Sequence, residues 1–362
     1  MMRTKASTKT DSNVVDEKFM LRCIQLGKNG LGTTAPNPMV GALVVHKNQI
    51  IGEGYTGPYG GRHAEVNAIA HVKNKKLLSE ATLYVTLEPC AHYGKTPPCA
   101  DLIVKHKIPR VVVGIKDPHD KVAGKGIQKL IDAGCAVSVG ILEQACREHH
   151  KRFLTVQEKQ RPYIILKWAA SADGFIAPKK ETRATAPQPY WITGKLSRQL
   201  VHKWRSEEQA ILVGTATVLE DNPKLDVRLW TGKSPIRIII DKDLTVSSSY
   251  HVFNKKQRTI VFTTVTDTTK HLDGVEYVLL NNRKNSAEVL CNALHQLNIQ
   301  SILIEGGAQT LQSFIDANLW DEARIFTGTS VFKEGIKGPN INGNPFASLT
   351  LEQDQLTMLK ND

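Results

Sequence analysis

The residues with the clearest chemical potential in this chain are His63-Ala64-Glu65, Pro89-Cys90 and Cys99. An imidazole and two thiolates suit zinc by softness, and zinc held by three protein ligands keeps its fourth position open for water. The metal lowers the pKa of that water to about 7 and so supplies hydroxide at neutral pH. A hydrolysis run this way needs a carboxylate that is not itself a ligand, to carry protons between the water and the leaving group. Glu65, two residues beyond His63, can reach the water without displacing it. Singly these features say little. A lone H-x-E is common, and two cysteines at this separation are more often buried apolar residues than ligands. Their order is the signal: HAE opening a helix, then a strand, then EPC, then a second cysteine. Cys99 falls at the start of a predicted helix, where thiolate is favoured. His92 is the rival ligand in the same stretch.

H-x-E…P-C-x-x-C is the pattern of zinc deaminases that act on nucleobases. Here the residues Ala91 to Pro98 separate the two cysteines, a longer spacing than that pattern has. Gly94, Pro97 and Pro98 make the insertion stiff enough to return Cys99 to the same metal. The second half offers different candidates. No G-x-G-x-x-G follows a predicted strand, so a Rossmann dinucleotide site is not indicated. Glu305-Gly306-Gly307 ends a predicted strand and precedes a helix. Two glycines there let backbone approach a phosphate at the helix N-terminus, although GG before a helix is weak by itself. Asp221-Asn222-Pro223 is a second candidate, and Asn-Pro also starts ordinary turns. Lys167 stands inside the apolar run YIILKWAA and is expected to point into a pocket.

Alternating strands and helices must position these residues. Apolar periodicity predicts a helix over 17–28, strands over 40–45 and 50–55 joined by a Lys47-Asn48-Gln49 hairpin turn, and a helix over 63–72. A strand over 81–87, a helix over 99–105, a strand over 110–115, a helix over 127–133 and a strand over 136–140 follow. Between about 144 and 160 the texture turns polar, which sets a domain boundary with a connecting helix. Beyond it the pattern predicts strands over 163–170, 210–213, 236–240, 259–263, 275–280 and 301–304, and helices over 194–205, 286–297 and 308–317. The segment after 330 gives little signal. The class is therefore α/β, with a largely parallel sheet covered on both faces in the first half. The domains run 1–15 as a polar tail, 16–150 and 160–362. No fixed-period repeat is present.

The bulk properties agree. A chain of 362 residues suits two domains. Its 41% apolar and 23% charged residues are ordinary for a globular protein, so disorder is expected only over residues 1–15, which also lack the apolar core of a signal peptide. No run of about 18 apolar residues exists, which excludes a spanning helix. Six cysteines are too few for a disulfide framework and point to a reducing cytoplasm. The net charge of +12 suits either a nucleic-acid face or a small anionic ligand such as a phosphorylated metabolite. A solvated charged face is the plainer account, because the clusters at 73–76 and 149–152 are short. Three classes of function follow: a deaminase of a small metabolite, a deaminase of a base in RNA, and a non-catalytic protein stabilised by zinc. A retained Glu65 argues against the last, since structural zinc usually has four protein ligands.

The run EPCAHYGKTPPC (88–99) resembles the RibD family of bifunctional riboflavin biosynthesis proteins, in which a pyrimidine deaminase is joined to a reductase. PNPMVGALVV (36–45), HAEVNAI (63–69), YVTLEPC (84–90), VAGKGI (122–127), ILVGTATVLEDNPKL (211–225) and ILIEGG (302–307) extend the resemblance from about 17 to 330. It implies a cytidine-deaminase-like α/β/α domain followed by a dihydrofolate-reductase-like α/β domain. The first would hydrolyse the 2-amino group of a diamino-ribosylamino-pyrimidinone phosphate. The second would reduce the ribosyl group to ribityl with NADPH.

Residue by residue, the resemblance places zinc on His63, Cys90 and Cys99 and the proton shuttle on Glu65. It places substrate contacts on Asn37, Lys95 and Asp117, which otherwise read as a turn asparagine, an exposed loop lysine and a strand-end aspartate. Lys167, Asp221 and Glu305 form the polar cluster around the ribose. Arg205, Leu225, Arg228 and Glu305 bind the substrate, with the arginines on its phosphate, a role their planar fork suits; surface salt bridges are the plain alternative for both. Ala169, Trp191, Thr217, Asp221 and Gly307 contact NADPH, with Thr193 nearby. The partners implied are a small phosphorylated pyrimidine and a second copy of the chain through the reductase half, with no nucleic acid and no membrane. Three departures stand out: His119 where the family has DPNP, Phe175 where it often has S-L-D-G-K, and Pro189 in place of a serine. The composition of the Pro178–Pro189 loop is also unusual.

Overall fold

In the computed structural model, residues 11–93, 97–118, 123–280 and 287–361 are described. The chain divides into two compact units, Met1–Lys159 and Gln160–Asp362.

In the first unit, helix α1 (Asp11–Gly27) precedes strands β1 (Gly41–His46) and β2 (Gln49–Tyr55). Lys47 and Asn48 join them with φ of 48° and 62°, the twist that a two-residue hairpin requires. Helix α2 (Ala64–His71), β3 (Thr82–Leu87), α3 (Cys99–Lys105), β4 (Arg110–Ile115), α4 (Lys125–Asp132), β5 (Ala136–Val139), α5 (Glu143–His149) and α6 (Lys151–Lys159) follow. The sheet order is β2-β1-β3-β4-β5. The hairpin makes one edge antiparallel, while β3, β4 and β5 run parallel. Strands β1, β3 and β4 are buried along almost their whole length, which is why they read as continuous apolar runs.

Two differences from expectation have physical causes. Helix α1 begins at Asp11, inside the stretch 1–15 assigned to a polar tail, and residues 1–10 lie outside the described residues. Val15 packs on the core, and Asp16 accepts two hydrogen bonds from Arg110 (3.0 and 2.6 Å) and one from the Tyr84 hydroxyl (2.7 Å). Partners more than sixty residues away thus order a segment whose own composition looks unstructured. The connecting helix over 144–160 is two helices, α5 and α6, both inside the first unit.

The second unit contains β6 (Tyr163–Ala170), β7 (Phe175–Pro178), α7 (Lys195–Glu207), β8 (Ala210–Gly214), α8 (Thr215–Asp221), β9 (Ile236–Ile240), β10 (Thr259–Thr263), β11 (Glu276–Leu279), α9 (Ala287–Gln296), β12 (Ser301–Ile304), α10 (Ala308–Asp316), β13 (Glu322–Thr327), β14 (Gly335–Lys337), β15 (Asn344–Leu351) and β16 (Asp354–Lys360). Nine strands form one sheet in the order β11-β10-β9-β8-β12-β6-β13-β16-β15. The seven from β11 to β13 are parallel, and β16 and β15 add antiparallel. From β8 the chain leaves toward β9, and from β12 it leaves toward β13 on the other side. The crevice beyond their carboxyl ends is therefore a topological switch point, where ligands of parallel sheets bind.

Sequence periodicity missed β7, α8 and all strands after β12. Helix α8 starts directly at the end of β8, with Gly214 serving as both the strand's last residue and the helix N-cap, so no loop separates the two. Strand β15 is exposed at every position but its last, so no apolar face is written into it.

Candidate active sites

The first site begins with the packing of α2. Gly52 and Gly54 on β2 let this helix lie against the strand: a Cβ at either would come within 2.3 Å of Ala68 backbone. That contact places His63, the residue capping α2, and Glu65 in its first turn. From strand β3, which β1 separates from β2, the chain passes through Glu88 and Pro89 to Cys90. The return of Cys99 is pinned by backbone bonds: its N–H donates to Cys90 Sγ (3.3 Å), and Ala100 N–H donates to the Cys90 carbonyl (3.1 Å). The first amide of α3 thus faces the Cys90 thiolate, an arrangement that favours its charged form.

His63 Nδ1 lies 3.6 Å from Cys90 Sγ and 3.3 Å from Cys99 Sγ. Tetrahedral zinc with ordinary Zn–N and Zn–S bonds separates such atoms by about 3.6 Å, so the three residues fit that metal. Hydrogen bonds from Cys99 and His63 pull the Cys90 thiol down to about 4. Glu65 is 4% exposed, and burial together with the Cys90 charge pushes its carboxyl up to about 7. His92 is exposed and lies outside the cluster.

Asn37 stands on a loop that crosses to the segment before His63, through Tyr59 N–H to Thr33 O (3.1 Å) and Thr56 N–H to Val40 O (3.0 Å). His149 Nε2 fixes the same loop by donating to the Met39 carbonyl (2.7 Å). Asp117 follows β4, whose last residue pairs with Leu87 at the end of β3, so Asp117 and Cys90 leave adjacent parallel strands at the same end. Lys95 and His119 lie outside the described residues.

Sequence reasoning missed Glu88. It is 4% exposed, and its carboxylate accepts the backbone N–H groups of Asp117 (3.2 Å), Gly124 (3.0 Å), Gly126 (2.9 Å) and Ile127 (3.2 Å). One side chain therefore caps α4 and holds the strand end bearing Asp117. Its partners lie up to 39 residues away, so the only local signal was an acid ending an apolar strand.

The second site is a cavity of about 1120 Å³ in the second unit. Lys167, Ala169, Trp191, Thr217, Asp221, Leu225, Arg205, Arg228, Glu305 and Gly307 all line it, as do Thr193 and Pro189. Phe175 is outside this lining, on β7 opposite Lys337. Lys167 and Ala169 come from the end of β6, Glu305 to Gly307 follow β12, and Thr217 and Asp221 lie on α8 after β8. The two loops touch: a Cβ at Gly306 would come within 2.7 Å of Thr217 Oγ1, and Gly307 has φ of 74°. Glycine at both positions leaves backbone at the N-terminus of α10 open to an anion.

Glu305 is buried between cations. Arg205 donates to both its oxygens (2.8 and 2.7 Å), and Lys167 Nζ donates to Oε2 (3.4 Å). Burial alone would raise this carboxyl, but the Arg205 and Lys167 charges outweigh it and hold it at about 2. Asp221 is in the opposite condition. Burial raises it to about 6, with Arg183 and Lys167 only partly offsetting. Asn222, which follows, is a left-handed helix cap (φ 41°) accepting from His251 N–H (2.8 Å), so the Asn-Pro turn is the end of α8. Arg228 pairs with Asp226, and Trp191, half exposed, lies under the Arg198 guanidinium at 4.6 Å. Sequence reasoning also missed Arg183, Arg198 and His202 on the cavity wall; none sits in a motif distinguishable from a surface helix or loop.

Residues 13–115 match the family model for the cytidine and deoxycytidylate deaminase zinc-binding region, and residues 162–362 match that for the RibD C-terminal domain. Over 329 residues the chain is 40% identical to the riboflavin biosynthesis protein RibD of Aquifex aeolicus, covering 89% of each chain. Over 360 residues it is 39% identical to that of Bacillus amyloliquefaciens, covering 96% of this chain and 95% of the relative. A crystal structure of a diaminohydroxyphosphoribosylaminopyrimidine deaminase/5-amino-6-(5-phosphoribosylamino)uracil reductase from Thermotoga maritima superposes with a TM-score of 0.87 at 36% identity, covering 97% of this chain and all 100% of that one.

Proposed function

The chain belongs to the RibD family of riboflavin biosynthesis proteins, and on that premise we propose how its residues divide two consecutive reactions. It is a bifunctional enzyme, with a zinc-dependent deaminase unit and an NADPH-dependent reductase unit. The deaminase unit removes the 2-amino group of 2,5-diamino-6-ribosylamino-4(3H)-pyrimidinone 5′-phosphate. The reductase unit then converts the ribosyl group of the product to ribityl.

In the first unit His63, Cys90 and Cys99 would hold zinc, which when bound would supply a water activated at neutral pH. Glu65 would carry a proton between that water and the departing amine. Asn37 and Asp117 bind the pyrimidinone edge, since an amide that both donates and accepts suits such a ring. Lys95 meets the charged end of the substrate.

In the second unit NADPH, when bound, would supply hydride. Ala169, Trp191, Thr217, Asp221 and Gly307 hold it. Glu305 and Asp221 orient the opened sugar, and Lys167 gives a proton to the sugar oxygen as the carbonyl is reduced. Leu225 packs on the substrate, and Arg228 with Arg205 holds its phosphate. Arg205 commits Nε, Nη2 and one Nη1 donor to Glu305 and the Asp226 carbonyl, which leaves one N–H on each terminal nitrogen for that ligand.

The single observation that carries this reading is that the cavity of the second unit is lined by all ten reductase residues named from sequence. A deaminase acting on RNA gives that cavity no use. Assembly is through the reductase unit, as a dimer or larger. Support comes from β15, an edge strand exposed from Asn344 to Thr350 with Phe346 and Leu349 at 45% and 47%, because an open edge invites pairing. The working compartment is the cytoplasm. All six cysteines are free, and no helix among the described residues is long and apolar enough to cross a membrane.

The test is a coupled assay on the purified chain with the diamino substrate. Ammonia release that depends on zinc, followed by NADPH oxidation in the same tube, is the expected result. Ammonia without NADPH consumption would leave a deaminase alone, with Pro189 as the first suspect. No ammonia would overturn the assignment.

A further inference from the structure

The wall of the reductase cavity holds a histidine to which none of the roles above is given. His202 lies on α7 one turn before Arg205, is 3% exposed, and lines the cavity. Its Nδ1 accepts the backbone N–H of Arg228 at 3.2 Å. A ring nitrogen that accepts from an amide carries no proton, so the neutral ring must carry its proton on Nε2. Burial, and then the charges of Arg205 and Arg228, hold His202 on the neutral side, at about 4. The Arg228 amide therefore selects one tautomer. Among the described residues no hydrogen bond is made to Nε2. A neutral N–H donor with a fixed ring thus stands at the end of the cavity that two arginines define.

We propose that His202 is a phosphate-binding residue of the reductase site, donating through Nε2–H to the 5′-phosphate of the substrate beside Arg228 and Arg205. The proposal rests on the reading of that end of the cavity as the phosphate end. Three facts point the same way. Arg205 has three of its five N–H donors committed to Glu305 and the Asp226 carbonyl, and Arg228 is paired with Asp226, so a fixed neutral donor adds to those the arginines keep for the phosphate oxygens. A phosphomonoester presents three terminal oxygens that accept hydrogen bonds. The ring is also anchored by the backbone of the residue whose side chain meets the same anion, so the two contacts are set together.

The experiment compares variants in steady-state reduction of 5-amino-6-(5-phosphoribosylamino)uracil and of its dephosphorylated analogue, with inorganic phosphate as a competitive inhibitor. His202→Asn keeps an acceptor near the Nδ1 position but loses the Nε2 donor. His202→Gln keeps a donor near Nε2 but loses the acceptor. His202→Phe loses both. The Asn and Phe variants are expected to raise KM for the phosphorylated substrate about 10-fold, the loss of one charge-assisted hydrogen bond. Inhibition by inorganic phosphate should weaken by a similar factor. The kcat, the KM for NADPH and turnover of the dephosphorylated analogue should stay within about twofold, and Gln should recover most of the loss. Unchanged phosphate discrimination in Asn, or function kept by Asn and lost by Gln, would overturn the proposal, because the ring would then serve only to hold the Arg228 amide. Arg228→Met separates the underlying reading. If phosphate inhibition survives that substitution as well, the phosphate end lies elsewhere and both readings fall. If only Arg228→Met weakens it, the role of His202 alone is rejected.

Discussion

Two carboxylates, Glu65 and Asp221, are held above the usual carboxylate range by burial, in different units. Glu65 is not one of the clustered metal-binding atoms, so removing its charge should leave those atoms in place. Glu65→Gln is expected to retain zinc by elemental analysis while ammonia release falls by about 10²–10⁴, the span of a lost proton carrier. Full activity in that variant would end the shuttle assignment. Asp221 has a folded pKa near 6 against 3.8 for an ordinary aspartate. The fold disfavours its ionised form, so the cost is absent below about pH 3.8, builds as pH rises from there to 6, and is fully present above 6. At neutral pH it amounts to about 3 kcal/mol. Asp221→Asn should therefore raise the melting temperature at pH 8, with roughly half that gain remaining at pH 5. NADPH oxidation should fall about 100-fold with ammonia release untouched. A variant that is less stable at pH 8, or that loses ammonia release too, would contradict the buried-carboxylate account.

At the scale of elements, the deaminase unit depends on a side chain that performs no chemistry. Glu88 satisfies four amides of the segment that leads from β4 into α4. Helix α4 has no side-chain cap of its own, since Gly124 precedes it. Glu88→Ala would strand those donors in a buried setting, a loss of about 2–5 kcal/mol when a charged acceptor is removed. The expected outcome is a lower first unfolding transition and weakened ammonia release, with NADPH oxidation of the deaminated intermediate preserved. In the reductase unit Asp354 plays a comparable part. It accepts from Gly194 N–H (2.8 Å) and the Ser197 hydroxyl. The C-terminal hairpin, which carries no motif, thus fixes the start of the helix that brings Arg198, His202 and Arg205 to the cavity.

On the scale of the whole molecule, the zinc cluster lies within Met1–Lys159 and the cavity lining within Gln160–Asp362. The coupled assay should therefore separate them. Chelation is expected to stop ammonia release yet leave NADPH oxidation intact when the deaminated intermediate is supplied directly. Loss of both on chelation would mean that the reductase depends on the metal-loaded first unit.

The sequence determined the parts whose signals are local. His63, Cys90 and Cys99 were legible because a metal needs certain atom types at short range, and Gly306 and Gly307 because glycines before a helix leave its first amides open. The buried strands were legible because burial on both faces writes an unbroken apolar run. Tertiary structure alone decided what depends on distant partners. It ordered Val15 and Asp16 against the core through Arg110, and it gave Glu88 its four amides. It paired Arg205 with Glu305 across 100 residues, and set His202 against the Arg228 amide. It also added β13, β15 and β16 to a sheet their own patterns do not announce. Those relations are contacts between segments brought together only by folding, and no spacing along the chain encodes them.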